Sequence, residues 1–306
     1  MTSTTHCAHP RTTASALTLV VCAALLAACA DHAKTPPSGE AHTSSHGPAS
    51  SAGTVPGTAL PLSSASAVPD LPEGRRWVPA PGTPWQWQLT TPVDTSVDVP
   101  IYDIDGVENG PDVVKALHAK GRKVICYVNA GAAETFRPDY RAFPPSVLGK
   151  PNGWEGERLL DIRKLNILRP IMAARFDLCR KSGFDAIEAD LVDSYLNDTG
   201  FPLSANDQLV YNRMLAGMAH QRGLSIGLKN DLDQIPALLG DFEFAINEEC
   251  VTYGECDKLR PFIRAGKAVF HVEYELDNAS FCAKTTAMHF SSMRKNLNLD
   301  APRWRC

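Results

Sequence analysis

Four absences in this 306-residue chain each exclude a class of protein. There is no glycine-rich turn after a first strand, the mark of an open dinucleotide-binding sheet. There is no Cys-x-x-Cys pair with which to begin a zinc ligand set. No apolar run is long enough to be a membrane-spanning helix. A net charge of −4 provides no electrostatic footprint for nucleic acid. No metal, cofactor or nucleic-acid partner is therefore expected, and the chain is expected to act as a monomer. What is present is 44% hydrophobic and 21% charged, an ordinary globular composition long enough for one large domain.

The N-terminus reads as a targeting segment. Arg11 precedes an apolar stretch from Ala16 to Ala28, too short to span a bilayer but right for the core of a signal peptide. Leu26-Ala27-Ala28-Cys29 has the form of a bacterial lipobox, in which cleavage precedes Cys29 and its thiol takes lipid. Plain secretion after an Ala-x-Ala-like site is the alternative. Each buried methylene of an acyl chain contributes about 0.8 kcal/mol, so several chains would hold the protein to a membrane in the cell envelope. Residues 29–72 are rich in Ser, Pro, Ala, Gly and Thr and cannot bury enough surface to offset ordering entropy, which makes them a flexible tether. His32, His42 and His46 belong to that solvated tether. The division expected is 1–28 signal peptide, 29–72 linker and 73–306 folded domain.

Nine cysteines are present. Cys7 and Cys22 leave with the signal peptide and Cys29 carries lipid, so Cys126, Cys179, Cys250, Cys256, Cys282 and Cys306 remain. An even set in an exported chain points to disulfides, with about 15 possible pairings. Proximity favours Cys250 with Cys256 and Cys282 with Cys306, leaving Cys126 with Cys179.

From Trp77 onward, strand and helix patterns alternate. Strands are expected at Trp85–Leu89, Val97–Asp105, Lys123–Asn129, Arg158–Ile162, Phe184–Tyr195, Leu224–Asn230, Phe244–Glu249 and Lys267–Tyr274. Pro100 is a mild objection inside the second. Helices are expected at Pro111–Lys120, Arg169–Lys181 with Pro170 in its first turn, Ser204–Arg222 with Ser204 and Asp207 as a capping pair, Pro236–Leu239 and Cys256–Ala265. The long segment from Ala130 to Glu157 carries Phe136, Tyr140, Phe143 and Trp154, and its aromatic content makes it an ordered wall. Eight strands with helical crossovers over about 230 residues is the size of an α/β (β/α)₈ TIM barrel, in which chemistry sits at the C-terminal strand ends.

Those ends are polar. Asp103 and Asp105 close the second strand, Tyr127 and Asn129 the third, Asp161 and Arg163 the fourth. Glu188, Asp190 and Asp193, with Tyr195 just beyond, follow from the fifth, Lys229, Asn230 and Asp231 from the sixth, Asn247, Glu248 and Glu249 from the seventh, Glu273 and Tyr274 from the eighth. An unpaired buried carboxylate is costly, so acids in such number imply a cavity. Glycoside hydrolysis needs two carboxyl groups, one protonated for the leaving group and one acting as nucleophile or water activator. Asp190 and Glu248, on near-neighbour strands with Lys229 between them, have that placement, and the cation would hold one partner ionised. Trp87, Tyr127, Phe136, Trp154, Tyr195 and Tyr274 are candidate sugar platforms, whereas Trp85 is equally suited to the core.

Trp-Gln-Trp-Gln-Leu (85–89), Tyr-Asp-Ile-Asp-Gly (102–106), Lys-Val-Ile-Cys-Tyr-Val (123–128), Phe-Asp-Ala-Ile-Glu-Ala-Asp (184–190), Gly-Leu-Lys-Asn (227–230) and Asn-Glu-Glu-Cys (247–250) occur in this order. Together they resemble glycoside hydrolase family 114, the endo-α-1,4-polygalactosaminidases. The resemblance implies a barrel enzyme that cleaves galactosamine-containing polysaccharide. It also implies Asp190 and Glu248 as the catalytic pair. From the strand ends and aromatics, Asp103, Asp105, Tyr127, Asp193, Tyr195, Lys229, Asn230, Glu273 and Trp87 are expected around the substrate. Ala189 stands where the family motif has proline, and Leu191 where it has asparagine. An acid-rich groove independently suits a polymer bearing free amines. The alternative expectation is a surface polysaccharide-binding lipoprotein on the same barrel.

Overall fold

The computed structural model describes residues 76–306; the signal peptide, Cys29 and the linker to residue 72 lie outside them. The chain lays down β1 (Trp85–Gln88), β2 (Ile101–Asp105), α1 (Pro111–His118) and β3 (Lys123–Asn129). It then builds β4 (Ala132–Glu134), β5 (Leu148–Pro151) and β6 (Glu157–Leu160), which form a separate antiparallel sheet in the order β4-β6-β5. Helix α2 (Leu165–Ser182) returns it to β7 (Ala186–Asp190). Then α3 (Ala205–Gln221), β8 (Ser225–Lys229), α4 (Ile235–Leu238), β9 (Phe244–Glu248), α5 (Arg260–Arg264), β10 (Val269–Glu273), α6 (Asn278–Ala287) and β11 (Ser291–Lys295) follow in turn. β12 (Arg303–Arg305) runs back antiparallel along β11.

The large sheet runs β1-β2-β3-β7-β8-β9-β10-β11-β12, and every neighbouring pair up to β11 is parallel. It is a TIM-type barrel of eight parallel strands with two departures from the expected assignment. The Arg158–Ile162 strand is real but belongs to the side sheet, and the eighth barrel strand is β11, past the last strand expected. The two ends of the barrel sheet meet at a seam. The Trp85 indole donates to the Ser291 carbonyl (2.8 Å), the Gln86 amide to the Ala301 carbonyl (2.8 Å), and the Leu89 N–H to the Leu299 carbonyl (2.9 Å).

Local boundaries follow backbone chemistry. β2 starts only after Pro100, whose ring cannot donate to a ladder. Helix α2 begins at Leu165, so Pro170 lies inside it rather than in its first turn. Helix α3 opens with the full Ser204–Asp207 capping box. The Cys256–Ala265 stretch is a 3₁₀ turn (Cys256–Leu259) running into the short α5.

Trp85, Ile101, Ile125, Ala186, Phe244 and Phe270 fill the barrel interior with apolar volume. Each Ile and Phe among them contributes about 1.5–3 kcal/mol by leaving water. Gly227 is required there, since a Cβ would sit 2.3 Å from the Phe244 ring. A second core, including Leu117, Met172, Phe176, Tyr211, Leu215 and Phe262, packs the helices against the outside. The disulfides Cys126–Cys179, Cys250–Cys256 and Cys282–Cys306 are all formed. Cys250, Cys256 and His271 cluster within 4.8 Å, but both sulfurs are consumed by the disulfide, so they offer a metal nothing.

Candidate active site

Strands β7, β8 and β9 end on Asp190, Lys229 and Glu248, and in each case the next residue turns left-handed: Leu191 (φ 57°), Asn230 (φ 48°) and Glu249 (φ 61°). The reversal stops the ladder where the functional side chain stands, at the C-terminal rim. At β7 it depends on a neighbour, because a Cβ on Gly131 would lie 1.8 Å from the Leu191 carbonyl oxygen.

Lys229 is the centre of the site. Its ammonium lies 2.8 Å from Asp190 Oδ1, 3.0 Å from Glu248 Oε2 and 3.5 Å from Glu188 Oε1, over the Trp87 ring at 4.9 Å. Because one ammonium holds both, the nearer oxygens of Asp190 and Glu248 lie no further apart than the sum of the two shorter contacts. Tyr127 donates to Asp190 Oδ2 (2.8 Å), and Tyr274 donates to Glu248 Oε1. Asn230 accepts from the Glu248 N–H (3.0 Å) and from Asn247 (3.2 Å), which fixes the β8 and β9 ends together.

The electrostatics separate the acids. Burial alone would raise Asp190, but the Lys229 charge and the bonds from Lys229 and Tyr127 outweigh it and hold Asp190 below the usual carboxylate range. Burial would lower Lys229, and Asp190, Glu248 and Glu188 reverse that, keeping it firmly charged. Beneath it, burial raises both Glu188 and Asp103; the Asp190 charge adds to the rise at Glu188 against the pull of Lys229, and Glu188 adds to the rise at Asp103. Glu188 is pushed up to about 7 and Asp103 well above its ordinary value. Asp193 is raised to about 6, by burial first and the Asp190 charge second.

These side chains line a cavity of about 350 Å³. Of the residues expected around the substrate, Trp87, Tyr127, Asp190, Asp193, Lys229, Asn230 and Glu248 are in it. Four are not. Asp103 is fully buried beneath, beside Glu188. Asp105 forms a bidentate pair with Arg137 (2.5 and 3.0 Å) and accepts the N–H groups of Val107 and Glu108, holding the β2 turn. Tyr195 sits beside Asp231, outside this cavity. Glu273 is fully buried and engaged by His271, Thr252 and the Val251 N–H. Among the aromatic candidates, Trp154 and Tyr274 line the cavity, Trp85 is core, and the exposed Phe136 lies against Arg137 instead. Glu157, from β6, and Leu297, Asn298 and Leu299, after β11, complete the wall. Glu157 closes the segment expected as an ordered wall, whereas nothing in the Leu297–Leu299 sequence marks it as part of the rim.

The sequence profile of glycoside-hydrolase family GH114 matches residues 69–306. The chain belongs to that family. A GH114 membership makes the chain a glycoside hydrolase in class. The crystal structure of Aspergillus fumigatus Ega3 in complex with galactosamine superposes with a TM-score of 0.72 at 39% identity, covering 76% of this chain and 100% of that one. The glycoside hydrolase domain of PelA from Pseudomonas aeruginosa shares the fold with a TM-score of 0.57 at 12% identity, covering 72% of this chain and 97% of its own. An uncharacterised protein of Deinococcus radiodurans is 26% identical over 276 residues, 82% of this chain and 85% of its own.

Proposed function

We propose that this GH114 protein is an exported, lipid-anchored glycosidase cleaving α-1,4-linked, galactosamine-containing polysaccharide by a retaining, paired-carboxylate mechanism. The observation that carries the reading is the single Lys229 ammonium bridging Asp190 and Glu248 at 2.8 and 3.0 Å. It holds their nearer oxygens closer than the ~6.5–9.5 Å that leaves room for an attacking water, which favours the shorter spacing of about 5–5.5 Å used by retaining enzymes. That spacing also supports a hydrolase over a barrel that only binds polysaccharide. The amino-sugar substrate is supported by the galactosamine bound to the related Ega3. The lipid anchor through Cys29 is supported by the Leu26–Cys29 motif.

Asp190 is the better nucleophile, since its surroundings hold it ionised. Its carboxylate oxygen attacks C1 while the C1–O bond breaks toward the leaving sugar, and the bridging oxygen takes the proton of Glu248. Glu248 then removes a proton from water, the water oxygen attacks C1, and Asp190 leaves as carboxylate. Tyr274 and Asn230 keep Glu248 oriented through both steps. Purified protein is expected to release new reducing ends from partly deacetylated galactosamine-containing polymer. Asp190→Asn and Glu248→Gln are each expected to lower the rate by about 10²–10⁴-fold with an unchanged circular dichroism spectrum. Full activity in both variants would sink the assignment.

A further inference from the structure

A cavity of about 280 Å³ opens at the seam, at the N-terminal end of the barrel and opposite to the rim that carries Asp190 and Glu248. Trp85 and Ser291, the first residues of β1 and β11, line it together with Arg303 and Arg305 of β12. We propose that this cavity is an oxyanion site, in which Arg303 and Arg305 together grip a phosphate group.

The two arginines share a face because they stand two apart on one strand, about 7 Å between their Cα atoms. The register fixes which face it is. Arg303 lies opposite Lys295 and Arg305 opposite Met293, whereas Trp304, opposite Arg294, turns the other way and packs on that guanidinium at 4.3 Å. No Asp or Glu among the described residues lines the cavity. Arg294, on the far face, pairs with Asp277 (3.0 Å), but neither Arg303 nor Arg305 forms an ion pair among the described residues. Arg303 is half-buried, and burial first and the Arg305 charge second lower its pKa. Two like charges set side by side without a counter-ion are unfavourable, and folding alone gives no reason for them. The cavity also holds polar atoms that nothing satisfies. Arg303 Nε has no hydrogen-bond partner, and Ser291, 4% exposed, lines the cavity with an Oγ that has none. Buried polar groups left unpaired are costly. A phosphate brings up to two negative charges and enough acceptor oxygens for two guanidinium forks and a hydroxyl, which the two oxygens of a carboxylate do not supply. It can come as the free ion or on a phospholipid headgroup. The chain enters the barrel across this same end, where the Trp77 carbonyl accepts from Ser225 and the Pro79 carbonyl from the Ala268 N–H. A lipid surface bound here would leave the catalytic rim free.

Thermal melts of the whole purified chain in sodium phosphate, against sodium chloride of equal ionic strength, read the site. Phosphate should give a saturable rise in Tm of about 3–10 °C that chloride does not. Arg303→Gln and the more exposed Arg305→Gln should each need roughly tenfold to a hundredfold more phosphate, the worth of one charged hydrogen bond. In chloride, Arg305→Gln should melt at or above wild type, since it removes a repulsion. Phosphatidylglycerol vesicles are the second probe, with phosphatidylcholine vesicles as control and any acyl anchor removed by Cys29→Ser. Retention on phosphatidylglycerol alone, lost in Arg305→Gln, would make the headgroup the source. Saturable phosphate binding without retention would make it the free ion. A wild-type Tm that responds no more to phosphate than to chloride, with no vesicle retention that depends on Arg305, would overturn the site. So would an Arg305→Gln protein that melts well below wild type in chloride, because the fold itself would then be what holds the arginine.

Discussion

Asp231 illustrates how a single residue carries the tension of this site. It follows Asn230 in a second left-handed conformation (φ 46°), accepts from Asn212 (2.9 Å), has Tyr195 beside it, and is enclosed with Asp193. Burial, then the Asp193 charge, push its pKa up to about 8. Below the unfolded-state value near 3.8 both folded and unfolded chains hold the proton. As pH rises from there to about 8 the unfolded chain has released it and the folded chain has not, so this group favours unfolding progressively across that window. Asp231→Asn keeps the Asn212 contact within reach and tolerates the left-handed backbone. It is expected to match wild type at pH 4 and to exceed it by a few kcal/mol at pH 8 in urea titrations. A constant difference between the two pH values would contradict the assignment. The Asp190, Lys229 and Glu248 cluster was legible in the sequence because acids and a lysine at the ends of apolar strands have no packing use. The fates of Asp103, Asp105 and Glu273 were not. All three end or lie near the end of inward strands, and only depth along the barrel and partners such as Arg137 and His271 distinguish a buried acid from a lining one.

At the scale of elements, strand ends decide more than strand interiors. Leu191 adopts φ 57°, where a side chain other than glycine, asparagine or aspartate is unfavourable. The asparagine of the family motif at this place thus has a backbone use apart from any hydrogen bond to substrate. Leu191→Asn is expected to raise stability by about 1 kcal/mol. A thermal melt that shows a lowered Tm would mean that the Leu191 side chain packing on the cavity wall outweighs its backbone cost. The same scale explains the misassigned strand. Glu157–Leu160 has the composition of a barrel strand, yet its partners β4 and β5 are antiparallel hairpin neighbours close in sequence. Short apolar runs do not reveal which sheet they join. β11 was missed for the opposite reason. Its inward residues are Ser291, Met293 and Lys295, and a buried lysine does not announce a core; Lys295 is accommodated by donating to the Asp300 carbonyl (2.5 Å).

For the whole molecule, the disulfides fit an oxidising compartment. Cys126–Cys179 closes a loop of 53 residues and ties β3 to α2, across the excursion that builds the side sheet. By chain entropy such a link stabilises by about 4 kcal/mol. The proposed anchor would carry these links into such a compartment, and it has a direct check. Cys29→Ser, expressed in a bacterium with lipoprotein processing, is expected to move the protein from the membrane fraction to the soluble exported fraction with activity on polymer kept. Soluble wild-type protein would refute the anchor without touching the chemistry.

The seam between β1 and β11 has a temporal meaning. The groups that lace it, the carbonyls of Ser291, Leu299 and Ala301, are among the last residues of the folded domain, and Cys306 bonds back to Cys282 beside them. The first strand must therefore wait for the last before it has a partner across the gap. Until then the walls of the catalytic cavity, which include Trp87 from one side and Leu299 from the other, do not meet, and a nascent or still-unfolded chain carries no functioning cleft. The cleft is therefore complete only when residues 297–301 have joined the barrel.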